Sequence, residues 1–345
     1  MPNKNNLVAV HSTYMRTSWL LTTDQDIDLS HNTKIRMFSK QDADLLSEKI
    51  RKCNAFSRHS GENSFYLRRA VEFGDRTVIE VQLPGTPDDA YNEAEKIANN
   101  AEKIAILSTT LVTKKADLLR KLGISRNTRS EIDFIMDNQM YYIRSKSQRF
   151  PSSEGIQLDQ VFQNRFRKSG FIELFSFCHG ANDLAKRIQL STDWLLESRR
   201  ETRLEAAVVK TAIALESLLI FAESESLARS LSERMAFLLT SDPETRRLVS
   251  KIVKTFYDAR SGIVHGSKDK AKKLSSELVE GVDRLTLLLH LVLAANTTNW
   301  TNIQTLQGWC EDQRWGSPDN SIKIPFNQTH LRNAIALATK PKVKS

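Results

Sequence analysis

Leu204-Glu205-Ala206-Ala207-Val208-Val209-Lys210-Thr211-Ala212-Ile213-Ala214-Leu215-Glu216-Ser217-Leu218-Leu219 decides how this chain is read. Leu204, Val208, Thr211, Ala212, Leu215, Leu218 and Leu219 recur at spacings of three and four, the period of a helix buried along one side. Downstream, a second helix is expected from about Ser226 to Leu239. Ser241-Asp242-Pro243-Glu244 then reads as a cap and first turn, because an Asp side chain accepts backbone N–H bonds and Pro suits the first helical position. The helix it opens carries Leu248, Ile252, Val253, Phe256 and Ile263 until Gly266 can end it, and another runs from Lys272 to Ala295. Upstream, one helix is expected near Phe171 to Gln189 and a short one from Asp193 to Arg200. A short helix near Thr301 to Cys310 and a basic tail that frays after His330 complete the series. Sizeable amphipathic helices in sequence make an antiparallel bundle the default.

Before residue 150 the pattern is mixed. Ser64 to Phe73 and Arg76 to Leu83 alternate around Gly74-Asp75 and predict a hairpin. Asp88 to Leu122 has helical spacing until Gly123 supplies a stop, and Glu131 to Ser147 predicts a second hairpin around Asp137-Asn138-Gln139. Pro151-Ser152-Ser153-Glu154-Gly155 is the linker candidate. The expected fold class is therefore mainly α: an α+β domain over 1–150, a helical bundle over 156–310 and a tail over 311–345.

A chain of 345 residues has room for two cores. Its three cysteines, Cys53, Cys178 and Cys310, are far apart and form no CxxC, so neither a disulfide framework nor a structural zinc site is supported. His11, His31, His59 and His179 do not converge with carboxylates or cysteines, and no glycine-rich phosphate loop is visible, so no metal or cofactor is expected. The start lacks a basic segment followed by a long apolar stretch, and the most apolar run, Leu285 to Ala295, is too short to span a bilayer. A soluble cytoplasmic protein is the expectation. Its formal charge of +9 favours polyanionic partners.

Three blocks on consecutive helices carry a more specific signal: Ala214-Leu215-Glu216-Ser217-Leu218-Leu219, Ser232-Glu233-Arg234-Met235-Ala236-Phe237-Leu238-Leu239, and Phe256-Tyr257-Asp258-Ala259-Arg260-Ser261-Gly262-Ile263-Val264-His265-Gly266. In order and spacing they resemble the ApeA-like branch of the HEPN superfamily, over roughly Ser191 to Ala295. That resemblance implies a helical bundle that dimerises so that two Arg/His pairs meet in a cleft. It also implies RNA cleavage without metal, often in bacterial abortive-infection defence against phage. Carried over by motif position, Arg260 and His265 are the catalytic pair. Many members place Asn, Asp or His after the arginine; Ser261 stands there in this chain.

Metal-free RNA cleavage needs a base for the 2′-OH proton, an acid for the 5′-oxygen, and cations on the phosphoryl oxygens. Facing His265 side chains from two protomers supply acid and base, and two Arg260 guanidiniums clamp the phosphate. Residues five apart on an ideal helix point about 140° apart. Arg260 and His265 thus converge in one chain only if the helix relaxes, for which Gly262 and Gly266 are the candidates. The expected products carry 2′,3′-cyclic phosphate and 5′-OH ends, with tRNA among the candidate substrates.

Supporting roles fall to Ser261, Tyr257 and Glu216. Glu216 on an apolar helix needs a partner, with Arg234 and Arg260 the candidates, and Tyr257 either stacks or packs. Lys268, Lys270, Lys272 and Lys273 follow the motif and either hold RNA or form a solvated helix start. Arg144, Lys146, Arg149, Arg165, Arg167 and Lys168 interleave with Tyr141, Tyr142, Phe150, Phe162 and Phe166, which suits single-stranded nucleic acid or ordinary alternating burial. Partners implied are RNA, a second copy of the chain, and a phage trigger or antitoxin; no membrane is expected. The rival readings are a HEPN module that dimerises and binds RNA, a nucleotide or a protein without catalysis, and a DNA-binding regulator.

Overall fold

The computed structural model describes residues 11–18, 21–23, 25–52, 71, 73–112, 128–137, 141–149, 156–221, 226–266, 274–315 and 322–340. The chain is mostly helical with a small antiparallel sheet near its start, and divides into two compact units, 1–106 with 124–163 and 107–123 with 164–345.

In the sheet unit, β1 (His11–Thr17), β3 (Ile27–Ser30), β4 (Thr33–Phe38), β5 (Arg76–Pro84), β6 (Thr128–Met136) and β7 (Tyr141–Arg149) form one sheet in the order β3-β4-β5-β1-β6-β7. Short β2 (Leu21–Thr23) and β8 (Ile156–Leu158) pair in parallel. β1 is central: Tyr14 lies opposite Val81 on one side and Ile135 on the other. Strand alternation then sends β1 residues to opposite faces. Met15 joins Phe38, Phe73, Val78 and Phe134 beneath Ala43, Leu46 and Ile50 of α1 (Lys40–Lys52). Tyr14 and Arg16 meet α2 (Pro87–Val112) instead, where the Tyr14 and Tyr91 rings sit 5.6 Å apart and Arg16 reaches Asn99 and Glu95.

The expected hairpin of Ser64–Phe73 with Arg76–Leu83 is corrected. Both edges of β5 are occupied, by β4 and β1, so no edge remains for the segment before Gly74. Residues 64–70 themselves lie outside the described residues. The second expected hairpin is present as β6–β7, with Met136 opposite Tyr141. The linker candidate 151–155 and the end of the long helix beyond Val112 lie outside the described residues.

The helical unit contains α4 (Phe171–Phe177), α5 (Asp183–Arg200), α6 (Leu204–Leu219), α7 (Leu227–Leu239), α8 (Pro243–Val264), α9 (Ser276–Ala295), α10 (Ile303–Trp315) and α11 (Gln328–Ala338), preceded by α3 (Gln160–Lys168). Short connections place α5 against α6 and α7 against α8. α9 packs on α4, α6, α7, α8 and α11, and every residue from Leu285 to Ala294 is buried. The most apolar run of the sequence is thus the central helix of this unit, as expected of a helix apolar all round. Among the described residues no helix is long and apolar enough to cross a membrane.

Caps set the boundaries. Asp242 accepts from Thr245 N–H at 2.8 Å with Pro243 in the first turn, as expected. Ser275 accepts from Leu278 N–H, so α9 starts at Ser276 and not at Lys272. The helix expected over 171–189 is two helices, broken at Cys178–Gly180 and restarted by Asn182, whose side chain accepts from Ala185 N–H. The expected fraying tail is corrected too: α11 buries Leu331, Ala334 and Ile335 and packs on α9.

Two buried polar links tie the bundle. Arg199 Nε lies 2.9 Å and Nη2 2.7 Å from Asp283 Oδ2, while Nη1 donates to the Leu107 carbonyl. Ser191 Oγ donates to the Ala214 carbonyl, so His290 Nε2, 2.9 Å away, donates to Ser191 Oγ.

Candidate functional site

The three sequence blocks fall on α6, α7 and α8, and their carboxylate, aromatic and arginine meet between α6 and α8. Tyr257, buried on α8, directs its hydroxyl at the Ala212 carbonyl (3.2 Å) and at Glu216 Oε1 (3.3 Å). Arg260, almost one turn further on, places Nη2 3.6 Å from the same Glu216 oxygen. Glu216 therefore pairs with Arg260 and not with Arg234, whose guanidinium lies over the Phe221 ring and caps the Leu219 carbonyl at the end of α6. Arg187 caps the same helix end through the Ser217 and Ile220 carbonyls. Two cations there complement the exposed carbonyls and fix the end of α6 near Glu216.

Burial, reinforced by the adjacent Glu216 charge, pushes the Tyr257 hydroxyl well above its ordinary range. It stays protonated at neutral pH and acts as a donor that orients Glu216. The Arg260 guanidinium meets Glu216 at ion-pair distance, and its buried Nε has no hydrogen-bond partner. Its side chain is 23% exposed, so part of it is open to an incoming anion.

His265 lies at the C-cap of α8. Its backbone N–H donates to the Ser261 carbonyl, and Gly266 leaves the helix at φ +71°, with open space around its Cα. That left-handed turn suits glycine and exposes the histidine at the helix end. Gly262 is different. It is buried inside an unbroken helix, so the relaxation expected there is absent. With the helix regular through Val264, Arg260 faces α6 and no hydrogen bond joins it to His265. Within one protomer the two side chains are not brought together.

Ser261 is half-buried on α8. Lys268, Lys270, Lys272 and Lys273 lie outside the described residues. Among the interleaved cations and aromatics, Phe162 and Phe166 are core side chains, Phe166 stacking on Phe171 at 5.2 Å, and are unavailable to bases. Arg165, Arg167 and Lys168 occupy the exposed face of α3, while the side chains of Tyr141, Tyr142, Arg144, Lys146, Arg149 and Phe150 lie outside the described residues.

Sequence reasoning passed over Arg247, Lys251 and Lys254, three exposed cations on α8. Their spacing of four and three was the available signal, since it places them on one face. It also missed the Arg199–Asp283 pair, which joins residues 84 positions apart and leaves no local pattern. No protein-family model, no curated protein and no solved structure matches the chain.

Proposed function

We propose that the helical unit is a HEPN-type endoribonuclease that cleaves RNA without metal, as a homodimer whose two protomers each contribute Arg260 and His265. The observation that carries this reading is the state of the two side chains. A partly exposed guanidinium and an exposed imidazole at a glycine-terminated helix end sit five residues apart, in the order and among the blocks of that family.

The need for an acid and a base at one phosphodiester gives dimerisation a chemical purpose. One His265 takes the proton of a ribose 2′-OH as its oxygen attacks phosphorus. The other gives a proton to the departing 5′-oxygen as the P–O5′ bond breaks, leaving a 2′,3′-cyclic phosphate and a 5′-OH. The Arg260 pair neutralises charge on the non-bridging oxygens, and Glu216 with Tyr257 positions each guanidinium. Abortive-infection defence is the cellular role that accompanies this activity, with the sheet unit restraining or sensing. A cavity of about 320 Å³ in that unit, beside Arg36, Lys49 and Glu80, offers a place for a small trigger.

A second reading has its own observation. The Arg260–Glu216 pair is also what a stabilising ion pair looks like, which favours a non-catalytic HEPN module that binds RNA or a partner. Incubating total bacterial RNA with the wild type, Arg260→Ala and His265→Ala in EDTA, then mapping the ends, separates the two. Cyclic-phosphate ends from the wild type alone support the nuclease. Intact RNA with all three, alongside altered binding in the variants, supports the module.

A further inference from the structure

Counting along α8, Arg247, Lys251, Lys254, Asp258, Ser261 and His265 are separated by four, three, four, three and four residues. At 100° per residue all six fall within about 80° of one helix face. Arg247, Lys251, Lys254 and His265 are exposed, and among the described residues no carboxylate pairs with the three cations. This face borders a groove of about 530 Å³ between α7 and α8, floored by Ala236 and Phe237. Arg246, stacked over Phe237 at 5.2 Å and donating to the Thr240 carbonyl, forms part of its wall. Two carboxylates also line the groove. Glu233 is already engaged by Arg229 and Arg314, and Asp258 lies on the cationic face itself, four residues beyond Lys254.

The geometry points to this groove as the track along which a single-stranded RNA runs toward His265, a proposal that rests on the nuclease reading. Cations along one wall suit phosphates, and an apolar floor suits base faces. From Arg247 to His265 the helix rises about 27 Å, the length of roughly eight stacked nucleotides. A second copy of the chain is a poorer occupant, because a basic protein is repelled by an unpaired cationic stripe.

The test uses the full chain carrying His265→Ala, so that RNA is bound without being cut. Fluorescence anisotropy with a labelled single-stranded RNA of roughly 12 nucleotides is recorded over a range of salt concentrations. Adding Arg247→Ala, Lys251→Ala and Lys254→Ala is expected to weaken binding at least tenfold and to flatten the log Kd against log salt slope by about 2, since each single-strand phosphate contact contributes about 0.7. The charge-keeping set Arg247→Lys, Lys251→Arg and Lys254→Arg should bind like the parent. Unchanged affinity and slope in the alanine set overturn the proposal, as does a preference for duplex DNA over the single strand. Cleavage by the His265-containing protein is scored separately. RNA cut as proposed but bound equally by the alanine set sinks the groove alone, whereas groove-dependent binding with no cleavage sinks the nuclease reading alone.

Discussion

Arg260 Nη2 lies 3.6 Å from Glu216 Oε1, and that contact turns the guanidinium toward α6 while His265 projects from the exposed end of the same helix. Helix geometry enforces the separation, because five residues of regular α-helix rotate the side-chain direction by about 140°.

Glu216 is expected to position Arg260. Glu216→Gln keeps an acceptor for Tyr257 and removes the charge that holds Arg260. Thermal stability should fall by no more than about 1 kcal/mol, because the pair is partly solvent-exposed. RNA cleavage should fall more steeply, through kcat rather than KM, whereas a Glu216 with only a structural role would leave kcat unchanged.

Arg199 and Asp283 are both buried, so removing one leaves the other charge unpaired. Arg199→Met or Asp283→Leu alone should cost about 3–5 kcal/mol in denaturant unfolding, and the double variant should recover much of that loss. Additive losses would show that the two residues do not act as a pair.

His290 supplies a pH dependence. Burial pushes its pKa down to about 3, against about 6.5 for an ordinary histidine. Between those values the unfolded chain binds a proton that the folded chain excludes, so this residue's contribution to stability falls as pH drops below about 6.5, by about 1 kcal/mol per pH unit. His290→Gln, which keeps a donor for Ser191 Oγ but cannot be protonated, should flatten the stability profile over that window. An unchanged profile would assign the pH dependence to other groups.

α9 and α11 approach closely at Gly281: a Cβ there would clash with Ala338 Cβ and meet its Cα at 2.8 Å. Gly281→Ala should therefore destabilise the protein by about 1–3 kcal/mol through overpacking, despite the better helix propensity of alanine. Hydrogen exchange should localise the loosening to α11; a stabilised variant would contradict the packing.

Much of the bundle was legible because one-sided helices write their burial into the sequence, as in the Leu204–Leu219 stripe and the Asp242-Pro243 cap of α8. Long-range features were not. The segment before Gly74 alternates like a hairpin strand, but β4 and β1 close both edges of β5. α11 is short and runs into a basic end, so its docking on α9 is what distinguishes it from a tail. At the site, the motif spacing singled out Arg260, His265 and Glu216, of which Arg260 and Glu216 pair, while the regular helix through Gly262 is set by packing that no local pattern records.

A cleavage site shared between two protomers makes activity depend on how the chains pair, which titrating His265→Ala protein into wild type under subunit-exchange conditions in EDTA measures. At equal amounts, random pairing leaves about a quarter of the dimers wild type on both sides. A shared site gives cleavage near that quarter of the all-wild-type rate at the same total protein. Activity that simply tracks the wild-type fraction, at about half, would instead show each chain acting alone and rule out a shared site.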